Sequence, residues 1–146
     1  MKLIRKVTLL VLVEACFVTA RAQVVATDAW VRPGISNESS TPVYMSLVSS
    51  KDTRLISARS TVAEVVEVHG VAQDKGGKTI HPVVDLKLLA GKPLEFKPDG
   101  YHLALTDIKK PIRAGFEVQI TLIFQSADGT REVVYVHAPV SLTKPK

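Results

Sequence analysis

An all-β fold, an antiparallel barrel or sandwich wound as a Greek key, is what this sequence predicts, and three observations predict it. No stretch beyond the N-terminal segment carries a 3.6-residue apolar period with helix caps. Instead, eight or nine short runs alternate apolar and polar residues, the pattern of half-buried strands. Turn-forming clusters such as Gly76-Gly77, Pro98-Asp99-Gly100 and Asp128-Gly129 punctuate those runs at regular spacing.

The first twenty-two residues read as an export signal. Lys2, Arg5 and Lys6 form a basic start, Val7 to Val13 an apolar core, and Ala20-Arg21-Ala22 a small-x-small cleavage site, which places the cut after Ala22. The segment is short and interrupted by Glu14, so no stable membrane span is expected once it is cleaved. Its basic residues outnumber its one acid, so much of the formal net charge of +5 leaves with it. Cys16 is the single cysteine and lies inside the signal, which leaves the mature chain without thiol or disulfide. Lipid attachment at Cys16 is the weaker alternative, because Glu14 stands where a small or apolar residue is wanted. The expected organisation is therefore a signal over 1–22, one domain over 23–140 and a flexible tail over 141–146, in a periplasmic protein.

Within the domain, Ala26 to Arg32 makes an opening strand that stops at Pro33-Gly34. A polar loop follows from Ile35 to Thr41 and contains the Asn37-Glu38-Ser39 acceptor pattern, a short match given little weight. Val43 to Val48 forms a second strand with one apolar side, and Arg54 to Arg59 a third. From Val62 to His69 the alternation puts Val66 and Val68 on one face and Val65, Glu67 and His69 on the other. The Asp74 to Gly77 turn then folds Lys78 to Val84 back antiparallel. Two short strands, Asp85 to Leu88 and Pro93 to Phe96, precede the Pro98-Asp99-Gly100 turn, which opens Tyr101 to Ile108 with Leu103 and Leu105 on one face and His102 and Ala104 on the other. Phe116, Val118, Ile120, Leu122 and Phe124 alternate without a break, and Asp128-Gly129 turns the chain into Glu132 to Val140.

Several function classes are excluded by inventory. Once the leader is removed, the weak positive balance and the lack of a Lys/Arg stripe argue against nucleic acid as a partner. There is no G-x-S-x-G elbow, phosphate-cradling glycine loop, H-E-x-x-H or Cys-x-x-Cys, and no serine comes with a recognisable base, so the chain reads as a non-enzyme. What remains is a histidine-bearing β region from Glu67 to Ala104, with His69, His81 and His102 as candidate metal ligands. Neutral imidazole is the commonest side-chain ligand for borderline metals, and histidines near strand ends can converge across a sheet. His81 neighbours His69 through the hairpin but points to the opposite face unless a bulge intervenes. Met45, between Val43 and Leu47, reads as core, and His137 as a surface or hydrogen-bonded histidine.

Five stretches carry a family resemblance: D-A-W-V-R at Asp28 to Arg32, P-V-Y-M-S-L at Pro42 to Leu47, V-E-V-H at Val66 to His69, G-Y-H-L at Gly100 to Leu103, and K-K-P-I-R-A-G at Lys109 to Gly115. Across nearly the whole mature domain the chain resembles the PCuAC periplasmic copper chaperones, which are implicated in copper delivery toward cytochrome c oxidase. The resemblance implies a cupredoxin-like barrel. It also implies copper, as Cu(I) or Cu(II), as the bound ion, with a recipient cuproenzyme or another periplasmic copper protein as partner. The family's signature is His, ten residues, Met, twenty-one residues, His, one residue, Met. On this chain it falls on His69, Ile80, His102 and Ala104, so both histidines are kept and both methionines are replaced. Thioether sulfur is the donor that favours Cu(I), whereas imidazole suits several ions. The implied function is a copper-binding, chaperone-like protein with a modified site; the alternative is an interaction module of the same fold that no longer binds copper.

Overall fold

A computed structural model of the chain describes residues 23–34 and 39–146. The expected signal with its cleavage site, Cys16, and residues 35–38 of the polar loop, including most of the Asn37-Glu38-Ser39 pattern, lie outside the described residues. Ten strands follow one another in the described chain: β1 Val24–Val31, β2 Thr41–Ser49, β3 Thr53–Ser60, β4 Ala63–Asp74, β5 Gly77–Val83, β6 Leu86–Leu88, β7 Leu94–Phe96, β8 His102–Ile108, β9 Glu117–Ser126 and β10 Arg131–Pro139. No helix occurs among the described residues, as the lack of a helical period predicts.

The strands form two antiparallel sheets. One runs β1-β2-β8-β4-β5, with β7 also paired to β2; the other runs β10-β9-β3-β6. Their inner faces meet in one apolar core that includes Val43, Met45, Leu47, Leu103, Leu105 and Phe124. On one side the sheets are stitched together: Val31 bridges Val140, Ser141 N donates to Val31 O at 2.9 Å, and Gln23 N donates to Glu132 Oε1 at 2.9 Å. These cross-links cover the outer edges of β1 and β10, where unpaired backbone groups would otherwise invite association. The architecture is the cupredoxin-like sandwich that the resemblance implies.

The alternating run in β9 behaves as predicted from Val118 onward. Val118, Ile120, Leu122 and Phe124 are all buried, and each fully buried side chain of this size contributes about 1.5–3 kcal/mol. Phe116 does not share that burial. It is exposed, because the chain turns at Gly115 (φ 88°) and the ladder with β10 begins only at Glu117 opposite Pro139. β2 departs in the other direction: instead of one apolar side it is buried on both, from Thr41 through Met45, because β1, β7 and β8 all pair with it. The Asp74 to Gly77 turn forms where predicted, with Gly77 at φ 116°, a region glycine enters without a Cβ clash.

β4 is long enough to leave the body of the sheet. Its pairing with β8 ends at His69 opposite His102, while its pairing with β5 continues to Asp74 opposite Gly77. Residues 70–81 therefore form a two-stranded ribbon beyond the sheet. Lys78 Nζ holds Asp99 Oδ1 at 2.5 Å, tying this ribbon to the turn that opens β8.

Candidate metal centre

Two neighbouring strands place the two signature histidines. His69 on β4 and His102 on β8 are direct cross-strand partners, so both rings stand on one face of the sheet. By alternation that face is opposite the core: Val68 and Leu103, the residues beside them in sequence, point inward and are buried. The ring centroids are 5.7 Å apart at 80°. A metal bound by two imidazoles at ~2 Å each puts the ring centres at most roughly 6 Å apart, so the observed spacing is compatible with a shared ion.

Each ring already has one nitrogen engaged. His102 Nδ1 lies 3.3 Å from the Gly100 carbonyl, an oxygen that only accepts, so the Nδ1–H donates and the Nε2 lone pair is left free. His69 Nε2 lies 3.2 Å from Glu67 Oε2, and a carboxylate there leaves Nδ1 with the lone pair. Such oxygen acceptors behind a histidine fix its tautomer and raise its basicity toward a metal. Burial, with smaller contributions from the positive fields of His69 and Arg32, holds His102 below the ordinary value of 6.5, against an opposing pull from the Gly100 hydrogen bond. His102 is therefore neutral at neutral pH, the form that can ligate.

The histidine pair ends a row of rings. Trp30 packs on Tyr44 with centroids 5.0 Å apart and the rings tilted by 48°, and Tyr44 lies 6.5 Å from the His102 ring. Trp30 reaches this row through a β-bulge: the register of β1 against β2 slips by one residue between Thr27 and Trp30, with Asp28 at φ 52°. Without the extra residue Ala29 would stand opposite Tyr44. Asp is one of the few side chains that tolerates the left-handed region, and a bulge re-aims the side chains that follow it. Alternation alone does not reveal Trp30 and Tyr44 as neighbours of the site; the D-A-W-V-R and P-V-Y-M-S-L motifs are the sequence signals for them. Glu67, two residues before His69, shares its strand face by alternation, and only the 3.2 Å contact with Nε2 makes it a partner of the site.

The four signature positions have separate fates. Ile80 is exposed on β5 and, with His102, Tyr44 and Arg32, lines a cleft of about 360 Å³. Ala104 is buried between its cross-strand partners Glu67 and Pro42. His81 is set apart: the β4–β5 register has no bulge, and His81 pairs with Gly70, one residue off the face that carries His69. Its ring lies over Gly70, where an added Cβ would come within 3.1 Å of Nε2. Met45 is in the core, and His137 is exposed with Nδ1 at 2.8 Å from Glu117 Oε1. No group of three or more His, Cys, Asp or Glu able to hold a metal occurs among the described residues. His69 and His102 therefore offer two nitrogens, and a third donor has to come from outside this set.

The sequence matches the family described as putative lipoprotein LpqE-like over residues 24–140. An uncharacterized protein of Rickettsia prowazekii (strain Madrid E), RP573, is 31% identical over 123 residues, which cover 80% of this chain and 67% of that protein. The chain spans about two thirds of the length of the curated relatives it matches. Among solved structures, the copper-bound PCuAC domain from PmoF2 superposes with a TM-score of 0.67 at 23% identity, covering 84% of this chain and 95% of that domain, a likeness of fold. The Cu(I) form of DR1885 from Deinococcus radiodurans superposes with a TM-score of 0.61 at 26% identity, covering 84% of this chain and 80% of that one.

Proposed function

The chain belongs to the LpqE-like family, and from that premise we propose that it is an exported, non-catalytic copper-binding protein that carries copper as cargo on His69 and His102. The observation that carries this reading is the direct pairing of the two histidines across β4 and β8, each with its second nitrogen on an oxygen acceptor. Support comes also from the fold shared with a copper-bound domain. Imidazole accepts copper in either oxidation state, and the neutral state of His102 means no proton has to be displaced from its free nitrogen at neutral pH. Two protein donors leave open positions on the ion, through which a recipient's ligands can enter before the histidines let go. That suits handover to a cuproenzyme such as cytochrome c oxidase, or to another periplasmic copper protein. A leader cut after Ala22, or lipid attachment at Cys16 as in a lipoprotein, sets whether the domain is free or tethered.

Titration of Cu(I) and Cu(II) into the purified protein, with competing chelators, tests the reading. Wild type should bind at least one ion tighter than about micromolar, and the His69→Ala, His102→Ala double variant should not. Ile80 and Ala104 at the methionine positions favour a second reading, a module of the same fold that engages partners without copper. Absence of binding for both ions in wild type would refute the first reading, and capture of a partner in a pull-down would support the second.

A further inference from the structure

Beside the histidine pair runs a second row of residues on the same face. Pro42 and Glu67 flank Ala104 as its cross-strand partners, and Arg32 N donates to Pro42 O at 3.2 Å, which puts Arg32 next in line at the end of β1. Arg32 is on the outward face because Trp30 is: the bulge at Asp28 sets both. Its side chain makes no hydrogen bond or ion pair among the described residues, although other cations near the site are engaged, as Lys78 is by Asp99. The cleft that Arg32 shares with His102 also offers Ser39, Ser40 and Tyr44, and no described carboxylate lines it. Arg32 is half-buried, has hydroxyl-bearing neighbours in the cleft and has no acidic partner among the described residues; a guanidinium so placed suits an anion, and its planar fork matches a carboxylate best.

We propose that this cleft is a carboxylate-binding subsite: a carboxylate seated on Arg32 turns an oxygen toward the ion held by His69 and His102 and supplies the third donor that the described residues do not. The metal part of this inference rests on the copper reading above. Two imidazoles with one carboxylate oxygen make a nitrogen–oxygen set, which suits Cu(II), so occupancy of the subsite shifts preference from Cu(I) toward Cu(II). The carboxylate is either a small free acid or an acidic side chain of a partner protein; the chemistry on Arg32 is the same.

The test begins without metal. Sodium acetate is titrated into isotopically labelled protein at constant ionic strength, with acetamide as the neutral control, while the His102 ring and the Arg32 guanidinium signals are followed by NMR. Saturable shifts with acetate but not acetamide, weakened about tenfold or more in Arg32→Gln and partly restored in Arg32→Lys, are expected. A blocked tripeptide with a central Glu identifies the source: tighter binding than acetate points to a protein partner, and equal binding to a free acid. In the second arm, Cu(II) affinity is measured with and without saturating acetate, and a rise of about tenfold in wild type but not in Arg32→Gln is expected. The inference is overturned if acetate produces no saturable shift, if Arg32→Gln responds as wild type does, or if acetate leaves Cu(II) affinity unchanged. Acetate binding through Arg32 with no copper binding in either condition would refute the copper reading and the third-donor role while leaving the anion subsite standing.

Discussion

Restoring the two signature methionines separately should give opposite results, because the structure treats the two positions differently. Ala104 is 1% exposed and lies mid-sheet on β8 with Glu67 on one side and Pro42 on the other. Ala104→Met adds three heavy atoms to a closed position, and overpacking of this kind costs about 1–3 kcal/mol. For a domain of this size about 4 °C accompanies each kcal/mol, so thermal unfolding should fall by roughly 4–12 °C. Ile80 is 62% exposed at the rim of the cleft that holds His102. Ile80→Met should leave stability within about 0.5 kcal/mol of wild type, yet place a thioether beside the imidazole and raise Cu(I) affinity by about tenfold or more. Calorimetric or circular-dichroism melts and chelator-competition Cu(I) titrations of the two single variants read both effects. An Ala104→Met protein that melts with wild type would refute the claim that this position has packed shut. An Ile80→Met protein with unchanged Cu(I) affinity would refute the claim that β5 still presents position 80 to the site.

Other predictions follow from the same geometry. His102 is held below its ordinary 6.5 chiefly by burial; the unfolded chain therefore takes up the proton first, and this contribution is fully present above about pH 6.5 and is lost as pH falls through the folded value. Denaturant midpoints should accordingly drop between about pH 7.5 and about pH 5, with a smaller drop in His102→Gln; an equal drop in both would assign the effect to other groups. His81→Ala should leave copper affinity unchanged within about twofold, since His81 lies off the His69 face, and a loss as large as that of His69→Ala would show that the ribbon rearranges on loading. Trp30 is the single tryptophan and is linked through Tyr44 to His102, so stoichiometric Cu(II) should quench its fluorescence, and quenching that persists in the His69→Ala, His102→Ala protein would place the ion elsewhere. Asp28→Val puts a β-branched residue at φ 52° and should cost about 1–2 kcal/mol by chemical denaturation, whereas Asp28→Gly should not.

The amino-acid order by itself determined the all-β class, the turns at Gly77, Gly100 and Gly129, the inward residues of β9, and the placing of His69 and His102 on the faces opposite Val68 and Leu103. These are consequences of the two-residue strand period and of local turn chemistry, both of which act between near neighbours. Which strands lie side by side is another matter, because antiparallel pairing between β4 and β8 joins residues as far apart as Ala63 and Ile108 and no local rule fixes its register. Tertiary structure alone put His69 opposite His102 and buried Ala104 while leaving Ile80 open, and its unbroken β4–β5 register left His81 on the opposite face that alternation gives it. It also decided that one extra residue at Asp28 turns Trp30 and Arg32 outward toward the site. A bulge inverts every later side chain on its strand, and only the register against a distant partner reveals it.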